Sequence, residues 1–185
     1  MLDEVDYISS VSGGSFTSAY YGLHGDGIFE SYEEDFLRFD LQKHLVLRAL
    51  NPFLWFSKNG RTESAIKYYQ KFLFHDATFA DMIRPDRPMI IINASDLAYG
   101  IRFSFIQEYF DLLCAELSTY PVADAVAASS AVPVLFNPVV VANYDTCSDM
   151  NLLGTKRLHE AAERYEKQNL PVLISQLETY DDKVK

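Results

Sequence analysis

The sequence lacks several features that would assign a broad class of protein at once. It has no apolar run approaching the about 18 residues of a membrane-spanning helix, so none is predicted. Basic residues are few, with 16 Lys and Arg against 26 Asp and Glu. The resulting net charge of -10 lacks the basic surface that nucleic-acid binding requires, and it disfavours electrostatic docking of the whole surface on anionic lipid.

Cysteine is also scarce. The 2 cysteines, Cys114 and Cys147, have no C-x-x-C spacing, so we expect neither a zinc site nor a disulfide framework. Met1 is followed by Leu-Asp-Glu, without the basic stretch and apolar core of a signal peptide. Both ends of the chain look truncated, so any targeting segment would lie before Met1, and the sequence leaves the compartment open.

What the sequence does have is enough apolar and aromatic material for one folded domain. It contains 13 Phe and 12 Tyr in 185 residues, which excludes a disordered chain and allows a substantial core. Strand and helix patterns alternate along it and predict an α/β fold. Strands are predicted over 5–11, 89–93, 101–105, 132–136 and 139–141, and helices over 15–21, within the block 26–83, and over 107–117, 122–131 and 156–168.

The most informative local feature is the turn at Ser12, between the first predicted strand and the first predicted helix. A serine held at such a junction among small residues is typical of a nucleophile elbow. Ser10 and Gly14 are small enough for strand and helix to pack closely, and the helix N-terminus with Gly13 and Gly14 favours negative charge. Ser10 stands where the strict G-x-S-x-G pattern has glycine. Serine-glycine clusters also form ordinary turns and N-caps, and the local pattern fits both.

Three segments together resemble the patatin-like phospholipase family, most closely its bacterial branch. They are Asp-Glu-Val-Asp-Tyr-Ile-Ser-Ser-Val-Ser-Gly-Gly-Ser at 3–15, Ile-Asn-Ala-Ser-Asp-Leu and the residues after it at 92–103, and Ala-Val-Ala-Ala-Ser-Ser-Ala-Val-Pro with Phe-Asn-Pro at 125–138. Their order and separation match as well, so the resemblance spans about residues 1–145.

The resemblance implies a three-layer α/β/α sandwich with a mostly parallel central sheet, incomplete at both ends of this chain. It also implies a serine acyl hydrolase that acts on lipid acyl esters without a metal or an organic cofactor, with transient contact to a membrane surface. Ser12 would attack the ester carbonyl, and the aspartate of an Asp-Gly-Gly or Asp-Gly-Ala motif would take its proton. A glycine-rich upstream loop, with Gly13 and Gly14 as elbow support, would stabilise the oxyanion.

Two parts of that machinery do not occur in the sequence. No glycine precedes Ser12, and the one Asp-Gly pair, Asp26-Gly27, follows the elbow helix, where the family's base is not found. We therefore expect the catalytic aspartate to lie beyond Lys185 and this chain alone to be inactive.

Other polar residues are weaker candidates for the site. Asp145 and Asp149 lack flanking glycines and fit a solvated loop, and Asp96 fits hydrogen bonding within a turn. Ser129 and Ser130 lie among alanines, which fit close helix packing near the site better than a second nucleophile.

A Ser-His-Asp triad is the rival mechanism, and it would need a histidine on a short loop after a late strand. None of the histidines falls there: they are His24, His44, His75 and His159. The aromatic run Phe-Leu-Trp-Phe at 53–56 fits the core, with an acyl pocket or a membrane contact as the alternative.

We therefore interpret 1–185 as a single partial patatin-like domain. Its elbow strand and helix occupy 1–25, a helical insertion 26–83, the strand and helix core 84–145, and a charged helical spacer 146–185. A serine acyl hydrolase acting on lipid esters is the leading hypothesis. The alternative is a non-catalytic truncated remnant that binds lipid or protein.

Overall fold

The computed structural model describes residues 4–37, 61–98, 100–132, 137–142 and 144. Its strands form one mixed sheet in the order β1-β2-β3, and they are β1 Tyr7–Val11, β2 Met89–Asp96 and β3 Ile101–Phe105. β1 and β2 run parallel, with Val11 opposite Asn93, whereas β2 and β3 are antiparallel. The predicted α/β class is confirmed, but one of the two strand pairings in this sheet is antiparallel, so it does not establish a mostly parallel one.

The helices alternate with these strands along the chain. They are α1 Gly13–His24, α2 Ile28–Tyr32, α3 Arg61–Tyr69, α4 Phe79–Met82, α5 Gln107–Leu112 and α6 Val122–Ser130. Short 3₁₀ turns occupy Gly25–Gly27 and Leu117–Thr119, and wider π-helical turns occupy Glu33–Leu37 and Gln70–Phe74. Within the described ranges, every helix is too short or too polar to cross a membrane.

α1 and α6 pack against each other and against β2, and this packing forms the centre of the core. Small side chains make the close approach possible, since Ala125 on α6 and Ala19 on α1 are fully buried. The tightest contact is at Gly22, where an added Cβ would lie 2.7 Å from Cγ1 of Ile90. Glycine is therefore required at this position for α1 to lie on β2. Sequence reasoning assigned the close packing to residues 10 and 14 and missed Gly22.

The predicted helix over 107–117 ends early, and the reason lies at Cys114. That residue has a φ of 54°, in the left-handed region that stops a right-handed helix. The chain then closes on itself, because the amide of Ala115 donates to the carbonyl of Phe110 and the Gln107 side chain accepts from the amide of Leu117. The prediction was too long because the apolar spacing typical of a helix continues to residue 117, whereas the helical backbone ends at Leu112.

The apolar run at 139–141 is not a strand in the structure, contrary to the prediction. Val139 and Val141 are half-buried against the core, while Val140 is exposed. The alternating pattern here reflects the packing of Val139 and Val141 on the core, since no described strand pairs with this backbone. Three other predicted features lie outside the described residues: most of the strand at 132–136, the aromatic run at 53–56 and the helix at 156–168.

The expectation of no disulfide is wrong at Cys114, which is disulfide-bonded. The sequence has one other cysteine, Cys147, and it lies outside the described residues.

Arg87 closes the C-terminal end of α1. Its Nη1 donates to the carbonyl of Gly22 at 3.2 Å and to that of Leu23, two groups that the helix leaves without partners. Gly25 has a φ of +58°, and an added Cβ there would lie 3.0 Å from Nε of Arg87. The guanidinium therefore fills the space that this glycine leaves. Its contact with Asp86 is long at 3.9 Å, and Asp86 is 72% exposed, so that pair adds little.

We predict that Arg87→Met lowers the free energy of unfolding by roughly 1–3 kcal/mol, because it removes charge-assisted bonds to two carbonyls. Urea denaturation measures the change. Arg84→Met is the matched control, since Arg84 is exposed and bonds one carbonyl at 3.3 Å, and its effect should stay within about 0.5 kcal/mol. Equal effects of the two variants would contradict the capping role, as would abolition of the Arg87 effect by high salt.

Candidate active site

Ser12 alone makes the turn between β1 and α1. Its φ of 56° and ψ of -129° belong to the region that glycine occupies at the first central position of a type II′ turn. A residue with a Cβ is strained there by about 1–3 kcal/mol. Ser12 stands at the N-cap position, yet its side chain caps no amide of α1. The Ser12 side chain therefore does not act as an ordinary N-cap, and the backbone makes a strained strand-to-helix turn at this residue.

The hydroxyl of Ser12 is exposed and open to reaction. Within the described part of the chain, no group forms a hydrogen bond with its Oγ. Among the described residues, and apart from its chain neighbours and its own helix backbone, an added Cβ at Gly13 would meet no atom within 4 Å. The amides of Gly13 and Gly14 lie in the first turn of α1, where helical amides lack intrahelical acceptors and the helix dipole favours negative charge.

The backbone of Ser12 is held by α6. Its amide donates to Oγ of Ser129 at 2.9 Å, across a separation of 117 residues. Its carbonyl accepts from the amide of Ser15 at 3.0 Å, which starts α1. Both backbone polar groups of the strained residue are thus satisfied, one by a distant helix and one by its own helix.

Hydroxyl groups fill the narrow space between β1 and α1. Oγ of Ser10 lies 2.6 Å from Oγ of Ser18 and 3.3 Å from Oγ of Ser15. Ser15 is fully buried, and its Oγ lies 2.8 Å from Oγ of Ser129. Small side chains at these positions let the strand and the helix approach, and their hydroxyls satisfy one another. Ser10 also faces Gly14, where an added Cβ would lie 3.9 Å from the Cβ of Ser10, an ordinary contact distance.

Asn93, within β2, binds the end of the parallel strand β1. Its Nδ2 donates to Oγ of Ser9 and to the carbonyl of Ser10, both at 2.9 Å. Its Oδ1 accepts from Oγ of Ser104 on β3 at 2.7 Å, so the amide orientation is fixed from both sides. The side chain holds the end of β1, and thereby the start of the Ser12 turn, in register with the rest of the sheet.

The structure also places several of the weaker candidates. His24 and Asp26 lie at or beyond the far end of the 12-residue α1, about 18 Å from Ser12, which is too far for a catalytic partner. Oδ1 of Asp96 accepts from the amide of Ala98 at 2.7 Å, so its predicted role in a turn is confirmed.

Other candidates carry no further support. His75 is an exposed residue in the left-handed conformation that ends the wide turn after α3. The residues outside the described ranges are His44, Asp145, Asp149 and His159. Across the parts that are described, no three His, Cys, Asp or Glu side chains group as metal ligands do.

Comparison with known families now decides the class of protein. A model of the family described as patatin-like phospholipase matches residues 1–149 of the 185. The chain belongs to the patatin-like phospholipase family. At the family level it is therefore a lipolytic hydrolase with an α/β fold, and the family acts on lipid substrates. No curated protein and no solved structure matches it.

Sequence reasoning missed one carboxylate of this patatin-like chain, Asp124 in the first turn of α6. Its Oδ1 is buried and has no hydrogen-bond partner among the residues that the structure describes. Burial raises the pKa of the Asp124 carboxyl, and burial together with that carboxylate raises the pKa of Tyr120. Five residues of helix, about 7.5 Å, separate Asp124 from Ser129, so it does not reach Ser12. The sequence indicated only that Asp124 would lie in the first turn of a helix, where an acidic residue is common, and gave no sign that it would be buried.

We predict that Asp124→Asn raises the melting temperature at pH 7 only slightly, by about 1–2 °C, because the half-buried carboxyl is partly screened by solvent. The folded-state pKa is raised, so the folded protein binds the proton more tightly, and ionisation destabilises it as pH rises above the unfolded value of about 3.9. The helix dipole favours the ionised carboxyl at this position and so keeps the gain small, while the raised pKa shows that burial outweighs it. Thermal scans from pH 3 to 7 should show the gain vanish below about pH 4. A gain that persists at pH 3 would exclude ionisation as the cause.

A second prediction concerns the strain at Ser12. Ser12→Gly should be more stable than Ser12→Ala by about 1 kcal/mol, because glycine relieves the strain and recovers more than it loses in chain entropy. Both variants lack the hydroxyl, so their difference isolates the backbone. Parallel urea titrations measure it, and an alanine variant as stable as the glycine variant would show that Ser12 is not strained.

Proposed function

We propose that this chain carries the nucleophile of a lipid acyl hydrolase and that the nucleophile is Ser12. The observation that carries the proposal is the backbone of Ser12, strained and not used as a helix cap. A non-glycine residue persists in such a conformation only where the surrounding structure holds it, and such residues cluster at active sites. Membership of a lipolytic family supplies the substrate class, an acyl ester of a lipid.

In the reaction that we propose, Oγ of Ser12 attacks the ester carbonyl and the alcohol leaves. The resulting acyl-serine is then hydrolysed by water, which restores the hydroxyl. The carbonyl oxygen gains negative charge at each step, and the amides of Gly13 and Gly14 at the start of α1 would stabilise it. The clear space at Gly13 supports this assignment, because a substrate oxygen needs room to approach these amides.

We infer that the general base is an aspartate outside residues 1–185, as in the Ser-Asp dyad that the resemblance implies. Two observations support this inference. No described carboxylate forms a hydrogen bond with Oγ of Ser12, and no Asp-Gly pair follows residue 130 in the sequence. A positioned base contributes about 10²–10⁴ to the rate, so residues 1–185 would have little turnover by themselves.

The wider architecture is also part of the proposal. We infer a three-layer α/β/α sandwich in which the described sheet is one part of a larger central sheet. The single-domain layout, with a helical insertion over 26–83 and a spacer over 146–185, belongs to the same proposal. Transient contact with a membrane surface would bring the ester to Ser12, since lipid substrates reside in bilayers.

The test is Ser12→Ala in the full-length protein. We predict that hydrolysis of a p-nitrophenyl ester and of a phospholipid falls by at least about 10⁴-fold, because the attacking atom is removed. Labelling by a fluorophosphonate probe should disappear with it. Ser118→Ala is the control, since Ser118 bonds only the neighbouring Glu116 at the surface, and it should retain full activity. Normal turnover in the Ser12 variant would reject the nucleophile. A folded wild-type protein without esterase activity or probe labelling would favour the non-catalytic, lipid-binding alternative.

A further inference from the structure

We propose that Ser129 is a positioning residue for Ser12, holding the nucleophile's backbone in its strained conformation. This inference rests on the proposed function of Ser12 and extends it to a residue 117 positions later in the sequence. Ser129 would act through the main chain of Ser12 and would not touch the substrate.

The hydrogen-bonding capacity of the Ser129 hydroxyl is fully used. A hydroxyl has one proton to donate and two lone pairs that accept. Oγ of Ser129 lies 2.6 Å from the carbonyl oxygen of Asn93, and a carbonyl can only accept, so the proton points there. The two lone pairs then receive the amide of Ser12 at 2.9 Å and the hydroxyl of Ser15 at 2.8 Å. The proton and both lone pairs of the Ser129 hydroxyl are therefore engaged in hydrogen bonds within the protein, which fits a structural role better than that of a nucleophile.

These three bonds join the three elements that meet at the elbow. Asn93 is in β2 opposite the last residue of β1, Ser12 is the turn itself, and Ser15 is in the first turn of α1. Ser129 brings them together from α6, whose Val122 and Val126 are fully buried. A packed helix fixes the hydroxyl in space, so its bond to the Ser12 amide fixes the turn with respect to the sheet.

The strain makes this bond necessary. The Ser12 conformation lies about 1–3 kcal/mol above a relaxed one, and a single hydrogen bond contributes about 0.5–1.5 kcal/mol. The two magnitudes are similar, so losing the bond gives the turn a strong tendency to relax. Relaxation would move Oγ away from the position where it attacks the ester, and a displacement of about 1 Å can lower the rate about 10²-fold.

Ser130 provides a matched control one residue away. Its Oγ donates to the carbonyls of Val126 and Ala127 within its own helix, at 2.7 and 3.4 Å. It shares the helix, the residue type and the half-buried position of Ser129, but it has no bond to β1, β2 or α1. A general effect of removing a hydroxyl from α6 would therefore appear in both Ser129→Ala and Ser130→Ala. An effect on the turn at Ser12 would appear in Ser129→Ala alone.

The experiment compares Ser129→Ala with Ser130→Ala in the full-length protein. Amide hydrogen exchange at Ser12, measured by NMR, should accelerate about 10-fold in Ser129→Ala and remain unchanged in Ser130→Ala. With ester substrate, Ser129→Ala should lower kcat about 10- to 100-fold with KM within about twofold, because substrate binding contacts are retained. Ser130→Ala should retain both values.

The outcomes separate the two proposals. Unchanged exchange at Ser12 in Ser129→Ala would overturn the positioning role, and so would faster exchange with normal kcat. If Ser12→Ala retained ester hydrolysis, the proposed function would be overturned, and the positioning role of Ser129 would be overturned with it. If Ser129→Ala does not fold, Ser129→Thr decides, since it retains the hydroxyl oxygen. A protected Ser12 amide in that variant supports the inference, and an unprotected one overturns it.

Discussion

The chain must pass from strand to helix through one residue, and this constraint organises the rest of the described structure. A single-residue turn forces Ser12 into a backbone region that disfavours a side chain. Two hydrogen bonds stabilise this turn: the Ser12 carbonyl accepts from the amide of Ser15 in α1, and the Ser12 amide donates to Oγ of Ser129 in α6. The packing of α6 on β2 therefore both builds the core and holds Ser129 beside the turn at Ser12.

The buried hydroxyl cluster follows from the same constraint. Strand and helix leave an elbow at a short distance from each other, so the side chains between them must be small. Serine at 10, 15 and 18 meets this need and adds polar atoms that must be paired, which they are through mutual bonds at 2.6–3.3 Å. Alanine at these three positions would fill the space equally well, but it would remove these mutual bonds and the bond between Ser15 and Ser129.

Predictions from the sequence succeeded where a local pattern has one structural solution. The elbow strand, α1, β2, β3 and α6 were all found within a few residues of their bounds. They failed where a pattern can be satisfied in more than one way. The valines at 139–141 partly bury two side chains without forming a strand. The helix that starts at Gln107 ends at Leu112, two residues before the left-handed Cys114, and no Gly, Asn or Pro there indicates its end. Gly22 was not singled out from the sequence, because the Ile90 side chain that its missing Cβ makes room for is distant in sequence.

The sequence by itself determined the α/β class, the patatin-like family and the serine at the strand-to-helix junction, because these depend on short segments with characteristic residues and order. Only the tertiary structure gave the conformation of Ser12, a strained turn whose side chain caps no amide of α1, since an N-cap serine and a serine in such a turn have the same letters and differ in φ and ψ. It also decided what Ser129 contacts. Alanines around that serine indicate close packing, but a hydrogen bond across 117 residues exists only once α6 has been placed beside the elbow.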